Sequence, residues 1–299
     1  MLSFTADLAA SQGARSYQED AAALWPGPAA SAPRFDLPAE DGKLVAVLAD
    51  GMGGHAGGAL ASRTACSSFL DAYAHEHAPA RDRLRAGLRA SNHAIACEVE
   101  ADRALRGMGS TLVGASFGPE GLEWVSVGDS PLYLWRRGEI ARLNEDHSLA
   151  PLLDELVQAG RISQQQALAD PRRHMLRWAV TGEELEHFDM AKKPLGLEAG
   201  DFVIIASDGI HSIDEPEIAR IVAAYADAGP EAIAKALVRN VVGVDDPHQD
   251  NVTVIVVQPV HVEAATPPPE TQEPSEVTQV PAETEVPSES TDEPRDKTA

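Results

Sequence analysis

The stretch Leu44–Gly58, LVAVLADGMGGHAGG, places the strongest constraint on how this chain can fold. A run rich in Val and Leu stops at Asp50, and five glycines follow within eight residues: Gly51, Gly53, Gly54, Gly57 and Gly58. The run has the length and the bounding residues of a buried strand. The glycines permit positive φ and let the backbone approach a ligand closely. A carboxylate on the rigid end of a strand, beside a loop without side chains, is suited to hold a hard cation and to leave room for an anion. A second reading stays open at this point, in which Asp50 caps the next helix and the glycines only turn the chain.

Composition narrows the classes. The 299 residues are 43% apolar, enough for a sizeable core, and the net charge is −23. Such a charge argues against nucleic acid or an anionic membrane surface as the main partner. The acidity is uneven: residues 263–299 hold ten acidic side chains against Arg295 and Lys297, and no aromatic. A segment of Pro, Glu, Thr and Ser buries too little apolar surface to offset its ordering entropy. The expected organisation is therefore one domain over residues 1–260 and a disordered acidic tail over 261–299. Cys66 and Cys97 lie in Ala-rich helical sequence and read as small buried thiols in a reducing compartment, with no disulfide. The N-terminus lacks the basic start and apolar run of a signal peptide, and no apolar run is long enough to span a bilayer. A monomeric, cytoplasmic protein is expected.

Along the chain, short strands are expected over Ser3–Leu8 and Ala21–Trp25, a surface loop over Trp25–Gly42, and helices over 58–75 and 81–101. Leu84, Leu88, Ile95 and Val99 form a stripe on the second of these helices. Gly107–Phe117, Leu122–Val127, Pro131–Arg136 and Gly138–Leu143 read as strands forming a meander. Asn144–Gly182 is polar and helical, a candidate flap, with helices over Leu149–Gly160 and Ser163–Asp170. Asp201–Gly209 repeats the pattern of a buried strand ending in Asp-Gly. Helices over Glu215–Asp227 and Pro230–Gly243 follow, then a Val-rich strand to Val257. This order is not a βαβ alternation, and no internal repeat is present. An α+β chain with two stacked antiparallel sheets and a helix pair outside each would bury every apolar face.

Five carboxylate positions fall in turns at strand ends: Glu19/Asp20, Asp50, Asp129, Asp208 and Asp250. Gathered on one rim they would repel one another, and divalent cations would remove that cost. Oxygen-only ligands suit Mg²⁺ or Mn²⁺ rather than zinc.

Gly13-Ala14-Arg15 with Glu19-Asp20, Asp50-Gly51-Met52-Gly53-Gly54-His55, Gly109-Ser110-Thr111, Gly128-Asp129-Ser130, Asp146-His147-Ser148, Ser207-Asp208-Gly209 and Asp250-Asn251 occur in that order. The set resembles the ordered motifs of the metal-dependent type 2C protein serine/threonine phosphatases, bacterial branch, over Ser3 to about Val257. The resemblance implies a four-layer αββα sandwich of two antiparallel β-sheets flanked by helix pairs. It implies that Asp50 bridges two Mn²⁺ or Mg²⁺ ions, with Glu19 and the Gly51 carbonyl completing one site and Asp208 and Asp250 the other. Asp129 and Asp208 resemble the ligands of a third, weaker metal. Asp20 resembles a residue that orients metal-bound water. Arg15 resembles the arginine that grips the substrate phosphate as a fork. The implied reaction is direct attack of a metal-bridging hydroxide on phosphorus, without a phospho-enzyme, on phosphoserine and phosphothreonine in bacterial proteins, a signalling role. The implied partners are phosphorylated proteins and a bacterial Ser/Thr kinase that the enzyme opposes.

The sequence departs from the family pattern in three places. Met52 stands where eukaryotic relatives carry a histidine that acts as general acid, which leaves a metal-bound water or His55 for that role. Pro131 follows Gly128-Asp129-Ser130 where relatives often have arginine. Pro247-His248-Gln249 replaces glycines before Asp250. His75 and His77 do not face each other on a helix, which disfavours metal binding. Arg172, Arg173 and Arg177 read either as a solvated face or as a recruiter of phosphorylated segments. A catalytically silent phosphoprotein-binding or scaffolding relative is the alternative function; such relatives usually lose a metal ligand, and none is missing here.

Overall fold

The computed structural model describes residues 2–25, 43–53 and 56–261. The expected surface loop after Trp25, His55 and the acidic tail lie outside the described residues. The chain runs β1 (Leu2–Ser11), β2 (Asp20–Trp25), β3 (Leu44–Met52), α1 (Ala56–His75), α2 (Ala80–Ala101), β4 (Gly109–Ser110) and β5 (Leu112–Gly118). It continues through β6 (Gly121–Val127), β7 (Leu132–Arg136), β8 (Glu139–Arg142), α3 (Ala150–Gln158), α4 (Gln164–Leu168) and β9 (Asp189–Met190). Strand β10 (Phe202–Ala206), helices α5 (Glu215–Tyr225) and α6 (Pro230–Val242), and β11 (Val252–His261) complete it.

Two antiparallel sheets result, ordered β1-β11-β10-β7-β8 and β2-β3-β5-β6-β9, with β4 added to β3. The continuous apolar run of β3 is explained by its two covered faces. Val45 and Val47 pack with Phe69, Leu70 and Leu84 of the α1–α2 pair, while Leu44, Ala46 and Leu48 join Val203, Ile205 and Ile255 between the sheets. A strand buried on both sides has no reason to alternate polar and apolar residues. On the far side Ile218, Val222, Ile233 and Leu237 of α5 and α6 cover Phe202, Ile204, Val254 and Val256. Three apolar layers thus separate four layers of secondary structure, the αββα architecture.

Helix ends follow local chemistry. Asp214 accepts a hydrogen bond from the Glu217 N–H at the head of α5, and Ser163 with Gln166 forms a capping box on α4. Gly160, just beyond α3, takes φ +66°. No helix among the described residues is long and apolar enough to cross a membrane.

The expected meander is divided. Strand β6 pairs with β5 in one sheet, while β7 pairs with β8 and β10 in the other. Val125 and Val127 belong to the layer under α1 and α2, whereas Tyr133 and Trp135 pack under α5 and α6. Gly128-Asp129-Ser130 is therefore a crossing between sheets, and it carries Asp129 across the rim. Strand β9, two residues paired to Val125 and Ser126, has no counterpart in the sequence reading.

Candidate active site

The antiparallel ladder between β2 and β3 sets Asp20 directly opposite Asp50. Strand β3 does not end at Asp50; it continues because Gly51 and Met52 pair with Ser110 and Gly109. Asp50 consequently lies inside a strand and does not cap α1, which closes the second reading. Its N–H donates to Thr111 Oγ1 (2.9 Å), and its carbonyl accepts from the Thr111 N–H (2.8 Å) and Ser110 Oγ (2.9 Å). Both backbone groups of Asp50 are fixed this way, so its carboxylate projects from an immobile point.

The other carboxylates arrive from three further segments. Asp208 begins a 3-10 turn after β10. Ser207, beside it, donates to Asp20 Oδ2 (2.8 Å) and accepts from the Thr253 N–H (2.9 Å). Asp250 immediately precedes Asn251 and β11. The buried amide of Asn251 donates to the Gln12 (2.8 Å) and Tyr17 (2.9 Å) carbonyls and accepts from the Glu19 N–H (2.7 Å). That clamp ties the Arg15–Glu19 loop to Asp250. Glu19 is also held through its carbonyl, which accepts from the Gly51 N–H at 3.1 Å. A Cβ on Gly58 would lie 2.3 Å from Glu19 Oε1, so only glycine leaves that carboxylate room.

Arg15, Glu19, Asp50, Gly51, Asp129, Asp208 and Asp250 all line one cleft of about 520 Å³. Asp20 lies buried next to it, tied to Ser207. Arg15 meets Asp250 in an ion pair at the rim. Met52 also lines the cleft.

Sequence reasoning assigned no role to several residues that build the site. Asn251 and Thr111 act by bonding distant backbone. Gln249, buried at 5% exposure, takes the place of the expected glycines. Its carbonyl accepts from Ala14 N–H (2.8 Å), its Oε1 from Ser212 Oγ (2.6 Å), and its Nε2 donates to the Gly209 carbonyl (3.3 Å). Pro131 is accommodated with its carbonyl accepting from Ala206 N–H, and Arg142 from β8 brings a guanidinium to the Asp129 carbonyl (2.7 Å). Asn251→Ala removes a partner from three backbone groups, of which the Gln12 carbonyl keeps the Arg15 N–H (3.3 Å), and is expected to cost about 2–4 kcal/mol. A denaturant midpoint that stays put would contradict that expectation.

The arginines of the flap separate. Arg172 is paired with Asp170 and Arg173 with Asp154. Arg177 lies 4.0 Å over the Trp178 ring, and both line the cleft with His174. His75 Nδ1 bonds the Asp71 carbonyl on its own helix. Glu145, His147 and His187 come together beside β6, but His147 Nδ1 accepts from the Gly128 N–H (3.1 Å). The ring proton of neutral His147 is therefore on Nε2, which leaves that nitrogen no lone pair for a metal.

Burial dominates the electrostatics, and crowding of like charges adds to it. Burial first, then the neighbouring Asp20, Asp208, Asp129 and Asp250, drives Asp50 well above the usual carboxylate range. Burial pushes Asp129 up to about 7, aided by Asp208 and Asp146. Asp20 rises to about 6 through burial, although hydrogen bonds from Ser207 and Thr253 oppose the shift. Asp208 is raised by burial and by Asp250, with His174 and Arg15 pulling the other way. Asp20 Oδ1 is buried without a hydrogen-bond partner. The cleft offers the carboxylate oxygens of Glu19, Asp50, Asp129, Asp208 and Asp250 beside the backbone of Gly51, and no cysteine lines it. That set fits hard divalent cations.

A pH prediction follows. A carboxyl group whose folded pKa exceeds its ordinary 3.8 binds its proton more tightly when folded. Its contribution to stability is complete below about pH 4 and is lost as pH rises through the folded value, about 6 for Asp20 and about 7 for Asp129. The metal-free protein should thus lose melting temperature between pH 4 and pH 7, and saturating Mn²⁺ should restore it at pH 7. A metal-free melting temperature that climbs over that interval would contradict the assignment.

The sequence profile of a family described as Protein phosphatase 2C matches residues 36–241. Serine/threonine phosphatase stp of Listeria welshimeri is 30% identical over 225 residues, covering 73% of this chain and 86% of the relative. Serine/threonine protein phosphatase PstP of Mycobacterium tuberculosis is 37% identical over 172 residues, covering 56% of this chain. The match spans only about a third, 32%, of that mycobacterial protein's length. Among solved structures, the catalytic domain of PstP in complex with two manganese ions superposes with a TM-score of 0.67 at 29% identity. That likeness covers 87% of this chain and 100% of the other.

Proposed function

The chain belongs to the protein phosphatase 2C family, and we propose that it is a metal-dependent phosphatase of phosphoserine and phosphothreonine in proteins. The observation that carries the reading is the meeting of Glu19, Asp50, Asp208 and Asp250, from four separate segments, in one cleft with Arg15. Two Mn²⁺ or Mg²⁺ ions, held by Glu19, Asp50 and Gly51 and by Asp50, Asp208 and Asp250, would supply Lewis acidity that activates water and neutralises the phosphate. Asp129 with Asp208 would hold a third, weaker ion.

The rest of the chemistry belongs to side chains. Arg15 leaves Asp250 for the incoming phosphate and offers two parallel N–H donors to its equatorial oxygens, where charge builds in the transition state. Asp20, fixed by Ser207, accepts a hydrogen bond from water in the cleft and orients it for in-line attack. Thr111 and Ser110 keep Asp50 from relaxing as charge shifts. Met52 excludes water where a polar side chain would admit it. No cysteine reaches the cleft: the Cys66 thiol is buried against the Ala21 carbonyl and its pKa is raised by that burial. A cysteinyl phospho-enzyme therefore has no place in this reading. Residues 1–260 carry the activity, residues 261–299 form an acidic extension, and the opposing activity is a Ser/Thr kinase.

The test is hydrolysis of a phosphothreonine peptide by the full chain with Mn²⁺ and with excess chelator. The reading expects turnover with the ion and none in chelator. Phosphopeptide binding without Mn²⁺, combined with no turnover under any condition, would instead identify a silent binding relative.

A further inference from the structure

A groove of about 360 Å³ between α2 and residues 182–188 takes no part in the chemistry above. Arg85, Arg89 and His93 line it from one side of α2 at i, i+4 and i+8, over a floor of Leu88, Leu185 and Phe188. The other arginines near the head of α2 are engaged: Arg81 donates to the Ala191 and Lys192 carbonyls, and Arg83 to the Tyr73 carbonyl. Among the described residues the one hydrogen bond of Arg85 is to Met190 Sδ, at 3.9 Å, and neither Arg85 nor Arg89 makes an ion pair. Glu183, Glu184 and Glu186 on the facing segment are exposed and do not line the groove. In a chain of net charge −23, Arg85 and Arg89 present two guanidinium groups to the groove without acidic partners among the described residues.

The groove is preformed, and its facing segment continues along the chain from the wall of the cleft. Asn92 donates to the Glu183 carbonyl (2.6 Å) and accepts from the Gly182 N–H (3.0 Å). Gly182 has φ +84°, and a Cβ there would lie 2.7 Å from the Ala96 backbone, so this segment is locked onto α2. Thr181 lines the cleft and Gly182 lines the groove.

We propose that the groove is a docking subsite for an acidic stretch of the phosphoprotein substrate, seated on Arg85, Arg89 and His93 while the phosphoresidue occupies the cleft. The proposal rests on the phosphatase reading above. The guanidinium forks match carboxylates, and the apolar floor accepts the methylenes of Glu or a neighbouring aliphatic side chain.

The experiment uses the full chain with Mn²⁺ and three substrates. Two are phosphothreonine peptides that differ only in carrying Glu or Gln on both flanks, and the third is p-nitrophenyl phosphate. The wild type should show a KM for the Glu peptide roughly five- to tenfold below that for the Gln peptide at low salt. The preference should vanish by about 0.5 M NaCl. Arg85→Gln with Arg89→Gln should erase it by raising KM for the Glu peptide, leaving kcat and p-nitrophenyl phosphate turnover unchanged. Arg89→Lys should retain most of it. Equal KM values in the wild type, or a variant that loses the same factor on all three substrates, overturns the subsite. If the wild type hydrolyses none of them, the phosphatase reading fails, and fluorescence anisotropy with the unphosphorylated Glu peptide decides the groove. Binding weakened by the double variant supports it there; unchanged or absent binding overturns it.

Discussion

Asp50→Asn is expected to lower kcat/KM on a phosphothreonine peptide by at least about 10³-fold, about 4 kcal/mol of transition-state stabilisation. The amide keeps the shape and the backbone bonds to Thr111 and Ser110, so the loss isolates the charge. The same substitution should raise the melting temperature of the metal-free protein at pH 7, because it removes one carboxylate from a site where Asp20, Asp208, Asp129 and Asp250 repel it. Opposite signs for activity and stability are characteristic of a functional acidic cluster, whereas a structural carboxylate would lose both. Parallel steady-state assays and thermal melts check the pair of effects. A melting temperature that falls with activity would mean that Asp50 serves the fold.

Arg15→Ala should lower kcat/KM by roughly 10²-fold, the loss of a bidentate, charge-assisted contact to phosphate. Arg15 is half-exposed and paired with Asp250, which is itself accessible. Solvent screens such a pair, so its loss should change stability little. Arg15→Lys should recover only part of the activity, since a single ammonium cannot reproduce the planar fork. Inhibition by inorganic phosphate gives a second readout and should weaken in step with kcat/KM. Full activity in Arg15→Lys would show that the position supplies charge without geometry.

Much of this architecture is legible in the residues because the forces involved are local. The run Leu44–Ala49 must be covered on both faces, and Ser163, Asp214 and Gly160 mark helix ends through their own hydrogen bonds or dihedrals. What is not legible depends on distant partners. A meander and a switch between sheets share the same local pattern, so the crossing at Gly128–Ser130 is decided by which helix pair covers Val127 and which covers Tyr133. Strand β9 is too short to carry a periodicity. The carboxylates stand out as turn residues, but Gln249 and Asn251 act on the backbone of Ala14, Gln12 and Tyr17, more than 200 positions away. Nothing in their own neighbourhood announces that. The position of Asp50 within β3, and not at the head of α1, likewise follows from pairing with β4.

The central claim is that Glu19, Asp50, Asp208 and Asp250 hold divalent cations as a unit. Calorimetric titration of Mn²⁺ into the metal-free full chain tests it most directly. The account predicts at least two ions bound per chain, with proton release near pH 6 to 7 as the raised carboxyl groups give up their protons, and loss of both tight sites in Asp50→Asn. Binding of Mn²⁺ that is absent, or that persists undiminished in Asp50→Asn and Asp208→Asn, would contradict it.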